Sequence, residues 1–188
     1  MRVASVFALI LVCLPVAEAK AWNGPGHKTV ALLAYRDLSP NTRAKIHDLL
    51  QRHPHYEEFL SQKAPEGVKV DEWAFLNVAT WPDWVRPPSK YAKKFHVGDR
   101  HFTNVPFILE GHENSIDKNA LKPKKENVLA GLERCMKILG DETVPAEERS
   151  IDLCWLLHLL GDVHQPLHCV SFFSAQFSQG DQGGNSFF

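Results

Sequence analysis

His158, Asp162 and His168 constrain the fold most strongly, because they are three candidate metal ligands within one short stretch of the chain. His158 and Asp162 are four residues apart, so on a helix their side chains leave from the same face. Pro166 cannot continue that helix, and it also disfavours helical backbone angles at Gln165. The chain is therefore expected to turn before His168 and to bring this imidazole back towards the same cavity. Histidine and aspartate suit zinc.

The composition indicates one folded domain. The chain has 188 residues and 44% hydrophobic content, enough for a single core. A formal net charge of -1 gives no global basic signal for nucleic acid or membrane. The 10 histidines justify a search for a metal site, because imidazole is the commonest metal ligand. Those in charged or proline-broken contexts are interpreted as surface residues: His47, His53, His55 and His96.

Residues 1–21 are predicted to be a secretory signal peptide. Arg2 precedes an apolar run over 3–16, and residues 19–21 (Ala-Lys-Ala) have the small-x-small form that a signal peptidase accepts. The run is too short to span a membrane. The mature protein is therefore expected to begin at Trp22, to be secreted or periplasmic, and to make no membrane contact. The freed amine, with a pKa of about 8, can lose its proton and bind a metal.

Three cysteines follow the signal peptide: Cys135, Cys154 and Cys169. Their odd number leaves open one disulfide with one free thiol, or a partner cysteine beyond this chain. No C-x-x-C pair is present, which disfavours a thiolate zinc site.

Apolar periodicity predicts an all-α class, with helices over 27–36, 41–52, 71–79, 125–139 and 146–163. Ser39 and Pro40 are the predicted cap and first turn of the second helix, and Pro82 is the predicted stop of the third. One face of the fourth, which ends at Gly140, is expected to carry Val128, Leu129, Leu132, Met136 and Leu139. Residues 87–124 are broken by prolines and are predicted to be long loops.

Other candidate ligands lie far from this stretch. Residues 22–27 place the amine of Trp22 and the imidazole of His27 either side of a glycine-containing turn. Asp83 follows a Trp-Pro pair, and His101 lies in a basic loop. Taken alone, each has a structural explanation that is the better one: Trp22 as a core aromatic, Asp83 as a helix cap and His101 as a loop residue. Their joint occurrence favours a metal site.

Several motifs, in this order along the chain, resemble the class I zinc nucleases, which are secreted single-strand nucleases of the S1/P1 type and related 3′-nucleotidases. They are W-x4-H from Trp22, T-W-P-D, R-H-F-x-N, H-L-L-G-D-V-H-Q-P-L-H and G-G-N ending at Asn185. The H-x3-D-x5-H pattern is shared with zinc-dependent phospholipase C. The short start and the R-H-F-x-N and G-G-N motifs favour the nuclease branch.

The resemblance implies a single helical, phospholipase C/nuclease-like domain over residues 22–188, built around a trinuclear zinc cleft. One ion is expected to bind Asp83, His101, His158 and Asp162. A second is expected to bind the amine and carbonyl of Trp22, His27 and the other oxygen of Asp162. The third takes His168, and the family completes that site from an L-H-x-x-W-D segment after Gly-Gly-Asn. No such segment occurs before the chain ends at Phe188. A fragment or degenerate product with about two fully liganded ions is therefore expected.

The implied activity is that of an endonuclease and 3′-nucleotidase, which hydrolyses single-stranded DNA and RNA to 5′-phosphate products through a hydroxide that bridges two zinc ions. Asp83 is expected to orient this hydroxide and Arg86 to contact phosphate. Phe102 is the candidate for base stacking, and Asn185 for a position near the substrate. A surface position for Arg86 and a core position for Phe102 are the structural alternatives. His164 is interpreted as a packing residue near the ligands.

Two other functional classes stay open. Zinc-dependent phospholipase C performs the same type of reaction on a lipid headgroup. An inactive, zinc-stabilised helical fragment is the non-enzymatic alternative, because of the absent ligands. In the preferred interpretation the protein acts as a monomer on single-stranded nucleic acid or nucleotides.

Overall fold

The computed structural model describes residues 23–103, 105–122 and 124–187, and this part of the chain is mostly helical, as the all-α prediction required. Its α-helices are α1 (Gly24–Asp37), α2 (Pro40–Leu50), α3 (Val70–Val78), α4 (Trp81–Trp84), α5 (Ala92–Phe95), α6 (Val128–Gly140) and α7 (Ala146–Asp162). The predicted signal peptide and Trp22 lie outside the described residues. Over those ranges, no helix combines the length and the apolar character that crossing a membrane requires.

Helix α7 is the central element of the fold. It contacts α1, α2, α3, α4 and α6, and its apolar residues join one core with residues from these helices. The predicted range of 146–163 differs from the observed helix by one residue, and Pro166 begins a separate 3-10 turn, Pro166–Cys169. Because neighbours surround α7, even its polar His158 and Asp162 are buried, with 0% and 1% exposure. Buried polar groups of this kind require partners.

Helices α1 and α2 begin at side-chain caps. The Asn23 side chain caps α1, which begins three residues before the predicted start because Pro25 is compatible with a first helical turn. The hydroxyl of Ser39 accepts a hydrogen bond from the backbone N–H of Thr42 at 3.1 Å, and Pro40 is the first residue of α2. The predicted cap and first turn of α2 are confirmed.

Pro82 has a different position from the one predicted. Helix α3 already ends at Val78, and Pro82 is the second residue of the short helix α4. Proline is tolerated in a first turn because the N–H at that position has no partner within the helix. Pro82 therefore contributes to the start of the turn that carries Asp83.

Three of the five residues predicted for the inner face of α6 pack on the core, and two do not. Val128, Gly131 and Cys135 are buried, whereas Leu129 and Met136 are 58% and 60% exposed. A Cβ atom at Gly131 would lie 2.7 Å from the Cδ1 of Leu159, so this glycine lets α6 approach α7 closely. Apolar periodicity failed here because a glycine, which carries no hydrophobic signal, is part of the contact face.

The segment 87–124, predicted to be long loops, also contains the short helix α5, two 3-10 turns and a strand. Strand β1 (Pro106–Ile108) pairs in parallel with β2 (Ser171–Phe173). Three residues are too few to show an alternating pattern, so the sequence did not predict either strand. Just before the strands, the backbone N–H of Thr103 donates to the carbonyl of His168 at 3.0 Å. The pairing thus holds the segment of His101 beside that of His168.

The cysteines of the described residues are free thiols. Cys135 and Cys154 are buried, and Cys169 is exposed. Burial raises the pKa of Cys135 to about 12, so this thiol stays protonated at neutral pH.

Two histidines that were assigned to the surface are part of the core. His53 and His55 are 3% and 5% exposed, and the indole of Trp81 lies against both rings. Trp81 Nε1 donates to His55 Nδ1 at 2.9 Å, and the backbone N–H of His55 donates to His53 Nδ1 at 3.0 Å. The surface prediction was wrong because an aromatic cluster buries both rings, and these hydrogen bonds satisfy the Nδ1 atom of each. Burial, with a smaller effect of His55, lowers the pKa of His53 to about 3.

We predict that His53→Asn makes folding less dependent on pH. The folded protein keeps His53 neutral, whereas the unfolded chain binds a proton below the ordinary histidine pKa of 6.5, so stability is lost as the pH falls from 6.5 to about 3. This loss is about 2 kcal/mol at pH 5. Denaturation with a chelator present, at pH 7 and pH 5, measures it. His53→Asn should lack this pH-dependent loss of stability, whereas the exposed control His164→Asn should retain it. The same pH dependence in all three proteins would contradict the prediction.

Candidate metal centre

Six predicted ligands converge although they come from separate elements. Helix α7 supplies His158 and Asp162, and the others are His27 from α1, Asp83 from α4, His101 from the 3-10 turn Gly98–His101, and His168 from the turn after α7. All except Asp83 are at least 95% buried. The side chain of Asp83 is 31% exposed, which places it at the mouth of the cluster. The seventh predicted ligand, Trp22, lies outside the described residues.

The carboxylate of Asp162 is at the centre of this cluster. Its Oδ2 lies 3.2 Å from Nδ1 of His101 and 3.2 Å from Nε2 of His158. Its Oδ1 lies 3.5 Å from Nε2 of His27 and 3.8 Å from Nε2 of His168. Each oxygen therefore faces its own pair of imidazoles, the arrangement of a carboxylate that can serve two ions.

Two backbone carbonyls set the orientation of the imidazoles. Nδ1 of His158 donates to the carbonyl of Ala79 at 2.8 Å, and Nδ1 of His168 donates to that of Gly183 at 2.7 Å. A ring that donates through Nδ1 can offer the lone pair of Nε2 to a metal, and both Nε2 atoms face Asp162. These carbonyls therefore prepare the rings to bind a metal.

The donor atoms fit a divalent metal. Two sets, His27 with Asp83 and His158, and His101 with His158 and Asp162, each offer ligand atoms within 4.8 Å of one another. Nε2 of His101 and Oδ2 of Asp162 are buried without a hydrogen-bond partner. Buried polar atoms that lack such partners are unusual unless another group satisfies them. A site of nitrogen and oxygen donors without sulfur suits zinc and its borderline neighbours.

Burial and mutual charge control the ionisation of the cluster. Burial lowers the pKa of His101 to about 4, and burial together with His158 lowers the pKa of His27 to about 4. Burial alone would raise the pKa of Asp162, but the facing His158 and His101 outweigh it and hold this pKa well below its usual range. At neutral pH the centre therefore combines an ionised carboxylate with neutral rings at His27 and His101, which are the metal-binding forms.

Asp83 and Arg86 form the exposed edge of the centre. Nη1 of Arg86 donates to Oδ1 of Asp83 at 3.1 Å, and the Arg86 side chain is 40% exposed. The carboxylate of Asp83 lies 4.0 Å from Nε2 of His27 and 3.9 Å from Nε2 of His158. Burial would raise the pKa of Asp83, but the facing imidazoles, His158 first, and the guanidinium of Arg86 outweigh it and lower the pKa. The guanidinium of Arg86 is thus held beside the cluster, and its other N–H groups can donate to a ligand.

The two predicted substrate residues are close to ligand-bearing segments along the chain: Phe102 directly follows His101, and Asn185 is two residues after Gly183. Phe102 is buried at 6% exposure and lines a cavity of 250 Å³, and Nζ of Lys124 lies 5.8 Å from the centre of its ring. Nδ2 of Asn185 donates to the carbonyl of Gln182 at 2.7 Å. His164 is exposed, and its Nδ1 donates to a carbonyl of α7.

Two glycines are important to the site, and sequence reasoning gave them no role. A Cβ atom on Gly161 would lie 2.5 Å from Nδ1 of His27, so the absence of a side chain lets this imidazole pack against α7. Gly183 has a φ of +66°, and a Cβ atom there would lie 2.8 Å from the Cβ of Phe102. In the sequence, the importance of these glycines is indicated by their positions inside the G-D and G-G-N motifs.

We predict that Gly161→Ala displaces His27 and lowers metal content, because the added methyl group would overlap its imidazole. Gly140→Ala is the matched control, since no atom lies within 4 Å of a Cβ at that helical position. The control should keep its metal and gain up to about 1 kcal/mol of stability. Metal analysis after gel filtration, with circular dichroism to check helicity, measures both variants. A folded Gly161→Ala protein with full metal content would contradict this packing role.

Several known proteins have sequences similar to this chain. The model of a family described as S1/P1 nuclease matches residues 22–187. The chain is 28% identical to endonuclease 5 of Arabidopsis thaliana, over 99% of this chain and 56% of the relative. It is 25% identical to endonuclease 1 and 24% identical to endonuclease 4 of the same plant, over 53% and 54% of their lengths and 98% and 96% of this chain. The chain spans about half the length of these curated relatives.

Proposed function

This chain belongs to the S1/P1 nuclease family, and on that premise we propose that it is a zinc-dependent hydrolase of phosphodiester bonds in single-stranded nucleic acid. The observation that carries the proposal is the position of the Asp162 carboxylate, with one oxygen facing two imidazoles and the other facing two more. A carboxylate in this position can bridge two divalent ions. Paired ions are well suited to phosphodiester hydrolysis because they neutralise both the attacking and the leaving oxygen.

Zinc in this centre would supply a lowered pKa for a water molecule and positive charge for the phosphoryl oxygens. The residues proposed to hold one ion are Asp83, His101, His158 and Asp162. Those proposed for a second are His27, the other oxygen of Asp162, and the amine and carbonyl of Trp22 as the first residue of an exported protein. A third position would take His168. Within this chain we expect about two complete ligand sets.

Asp83 and Arg86 are proposed to act on the substrate. Asp83 is the most exposed carboxylate of the cluster, so it can accept a hydrogen bond from the attacking water and orient it towards phosphorus. The guanidinium of Arg86 keeps its planar fork beside Asp83, and this geometry matches the oxygens of a phosphate. Both residues need solvent access for these roles, which their partial exposure provides.

Phe102 is proposed to bind a base of the substrate. Its ring is buried, so contact requires the base to enter the adjoining 250 Å³ cavity. Lys124 borders the same cavity, where its ammonium pairs with the carboxylate of Asp99 at 2.6 Å. Stacking on an aromatic ring is tolerant of sequence but requires an unpaired base, which favours single strands. Asn185 is proposed to lie near this substrate.

The decisive experiment is turnover by the protein that begins at Trp22, purified with zinc. We expect soluble nucleotides with 5′-phosphates from single-stranded DNA and RNA, and little release from duplex DNA. A chelator should abolish the activity, and zinc should restore it. Phosphatidylcholine is the control substrate, and release of diacylglycerol in place of nucleotides would assign the site to phospholipase C chemistry. A folded, zinc-loaded protein that hydrolyses neither substrate would contradict the proposal.

We predict that Asp162→Asn removes more zinc than His168→Ala does. The first substitution takes a negative charge from two ions, whereas the second removes one neutral ligand. The amide has nearly the same size as the carboxylate, so the fold should tolerate the change. Zinc content by mass spectrometry of both variants, together with turnover on single-stranded DNA, measures the difference. Equal losses of zinc would mean that Asp162 does not bridge.

A further inference from the structure

A second aromatic cavity opens on another face of the ligand-bearing elements. It has a volume of 360 Å³, and its walls come from α1, the π-helical turn Tyr56–Leu60 and the segment after it, α3 and α4. We call it the Trp73 cleft, and its main lining residues are Lys28, Phe59, Gln62, Lys63, Trp73 and Trp84. None of these residues has a part in the centre described above.

The cleft combines aromatic rings with a cation. Nζ of Lys28 lies 4.1 Å from the centre of the Trp73 ring, and no carboxylate in the described ranges forms an ion pair with this ammonium. Trp73 Nε1 donates to the carbonyl of Gln62 at 2.6 Å, which fixes the plane of the indole. Phe59 stacks on Trp84 at 4.6 Å and supports that ring from one side.

The other charges of the cleft also favour an anion. Lys63 lines the wall with a φ of +55°, a left-handed backbone conformation that a non-glycine residue adopts at a cost. The one acid in the lining, Glu58, accepts a hydrogen bond from the hydroxyl of Tyr91 and lies 3.5 Å from Nζ of Lys90. The charge of Glu58 is therefore offset by Lys90, whereas the contact described for the Lys28 ammonium is with the indole face of Trp73.

Two residues of the cleft directly follow predicted metal ligands in the chain. Lys28 directly follows His27, and Trp84 directly follows Asp83. Adjacent Cα atoms are about 3.8 Å apart, so the position of the cleft is coupled to that of two ligands. Adjacent residues of a helix point about 100° apart, so the cleft and the centre lie on different sides of these helices, and a polymer is needed to contact both at once.

We propose that the Trp73 cleft binds a base of single-stranded substrate near the scissile phosphate, with Lys28 and Lys63 facing the backbone phosphates. This proposal rests on the nuclease function proposed above and deepens it. Aromatic rings attract a base without sequence preference, and the two ammonium groups attract its phosphates. Nε2 of Gln62 donates to the carbonyl of Glu57, so its amide oxygen is the group left for a base edge. A cationic ligand is disfavoured, because Lys28 would repel it.

The test uses the zinc-loaded protein and a short fluorescent phosphorothioate oligothymidylate, which resists hydrolysis, in anisotropy titrations. Trp73→Leu should weaken binding about tenfold, whereas Trp73→Phe, which keeps a ring, should recover most of the affinity. The logarithm of the affinity falls as the logarithm of the salt concentration rises, and Lys28→Gln should make this slope shallower by about 0.7. Lys137→Gln, which removes an exposed lysine from α6, is the control with the same change of charge and should leave the slope unchanged.

Kinetics separates a substrate contact from a structural role. Trp73→Leu should raise KM on oligothymidylate and leave the hydrolysis of a dinucleotide nearly unchanged, because a dinucleotide at the centre does not fill the cleft. Lys63→Gly should lower affinity while the backbone strain is relieved, so weaker binding cannot be ascribed to unfolding. Zinc content and helicity accompany each variant.

The outcomes distinguish the two proposals. If the wild-type protein hydrolyses single-stranded DNA but the Trp73 and Lys28 variants keep its affinity and salt slope, the cleft proposal is wrong and the nuclease proposal stands. If the wild-type protein neither binds nor hydrolyses the single strand, both are wrong. Equal loss on the dinucleotide and on the oligonucleotide would also overturn the cleft proposal, because it would show that Trp73 acts through the metal centre.

Discussion

The buried carboxylate of Asp162 is the group on which the rest of this structure depends. Removing an isolated carboxylate from water costs on the order of several kcal/mol, and that cost is met only by close partners of opposite charge or by hydrogen bonds. Here each oxygen faces two imidazole nitrogens at 3.2 to 3.8 Å, and Oδ2 still lacks a hydrogen-bond partner among the described residues. Asp162 stays ionised because His158 and His101 face it. A divalent cation at this position would satisfy the same carboxylate and also the exposed Asp83.

Close approach of separate segments makes this convergence possible, and glycines provide the space. Gly131 lets α6 pack against α7, Gly161 gives His27 its place on α7, and the carbonyl of Gly183 holds His168. Further from the ligands, His55 accepts a hydrogen bond from the indole of Trp81, two residues before Asp83. The candidate centre is thus supported by further contacts between residues that are not among its predicted ligands.

The sequence predicted most of the helices and most of the candidate centre, for a local reason. Helical period, a Ser-Pro cap and the spacing of His158 and Asp162 are properties of neighbours in the chain, and they survive in the folded protein. The prediction failed where a residue acts through distant contacts. His53 and His55 have polar, proline-broken surroundings in sequence, yet an aromatic cluster buries them. The inner face of α6 depends on a glycine that carries no hydrophobic signal.

The sequence by itself therefore determined the helical class, the donor types and the pairing of His158 with Asp162 on one helical face, because these follow from backbone geometry over a single turn. Only the tertiary structure decided which oxygen of Asp162 faces which imidazoles, and which nitrogen of His158 and His168 donates to a carbonyl. It also formed the Trp73 cleft from four separate elements. Contacts of this kind join residues far apart in the chain, so no local pattern encodes them.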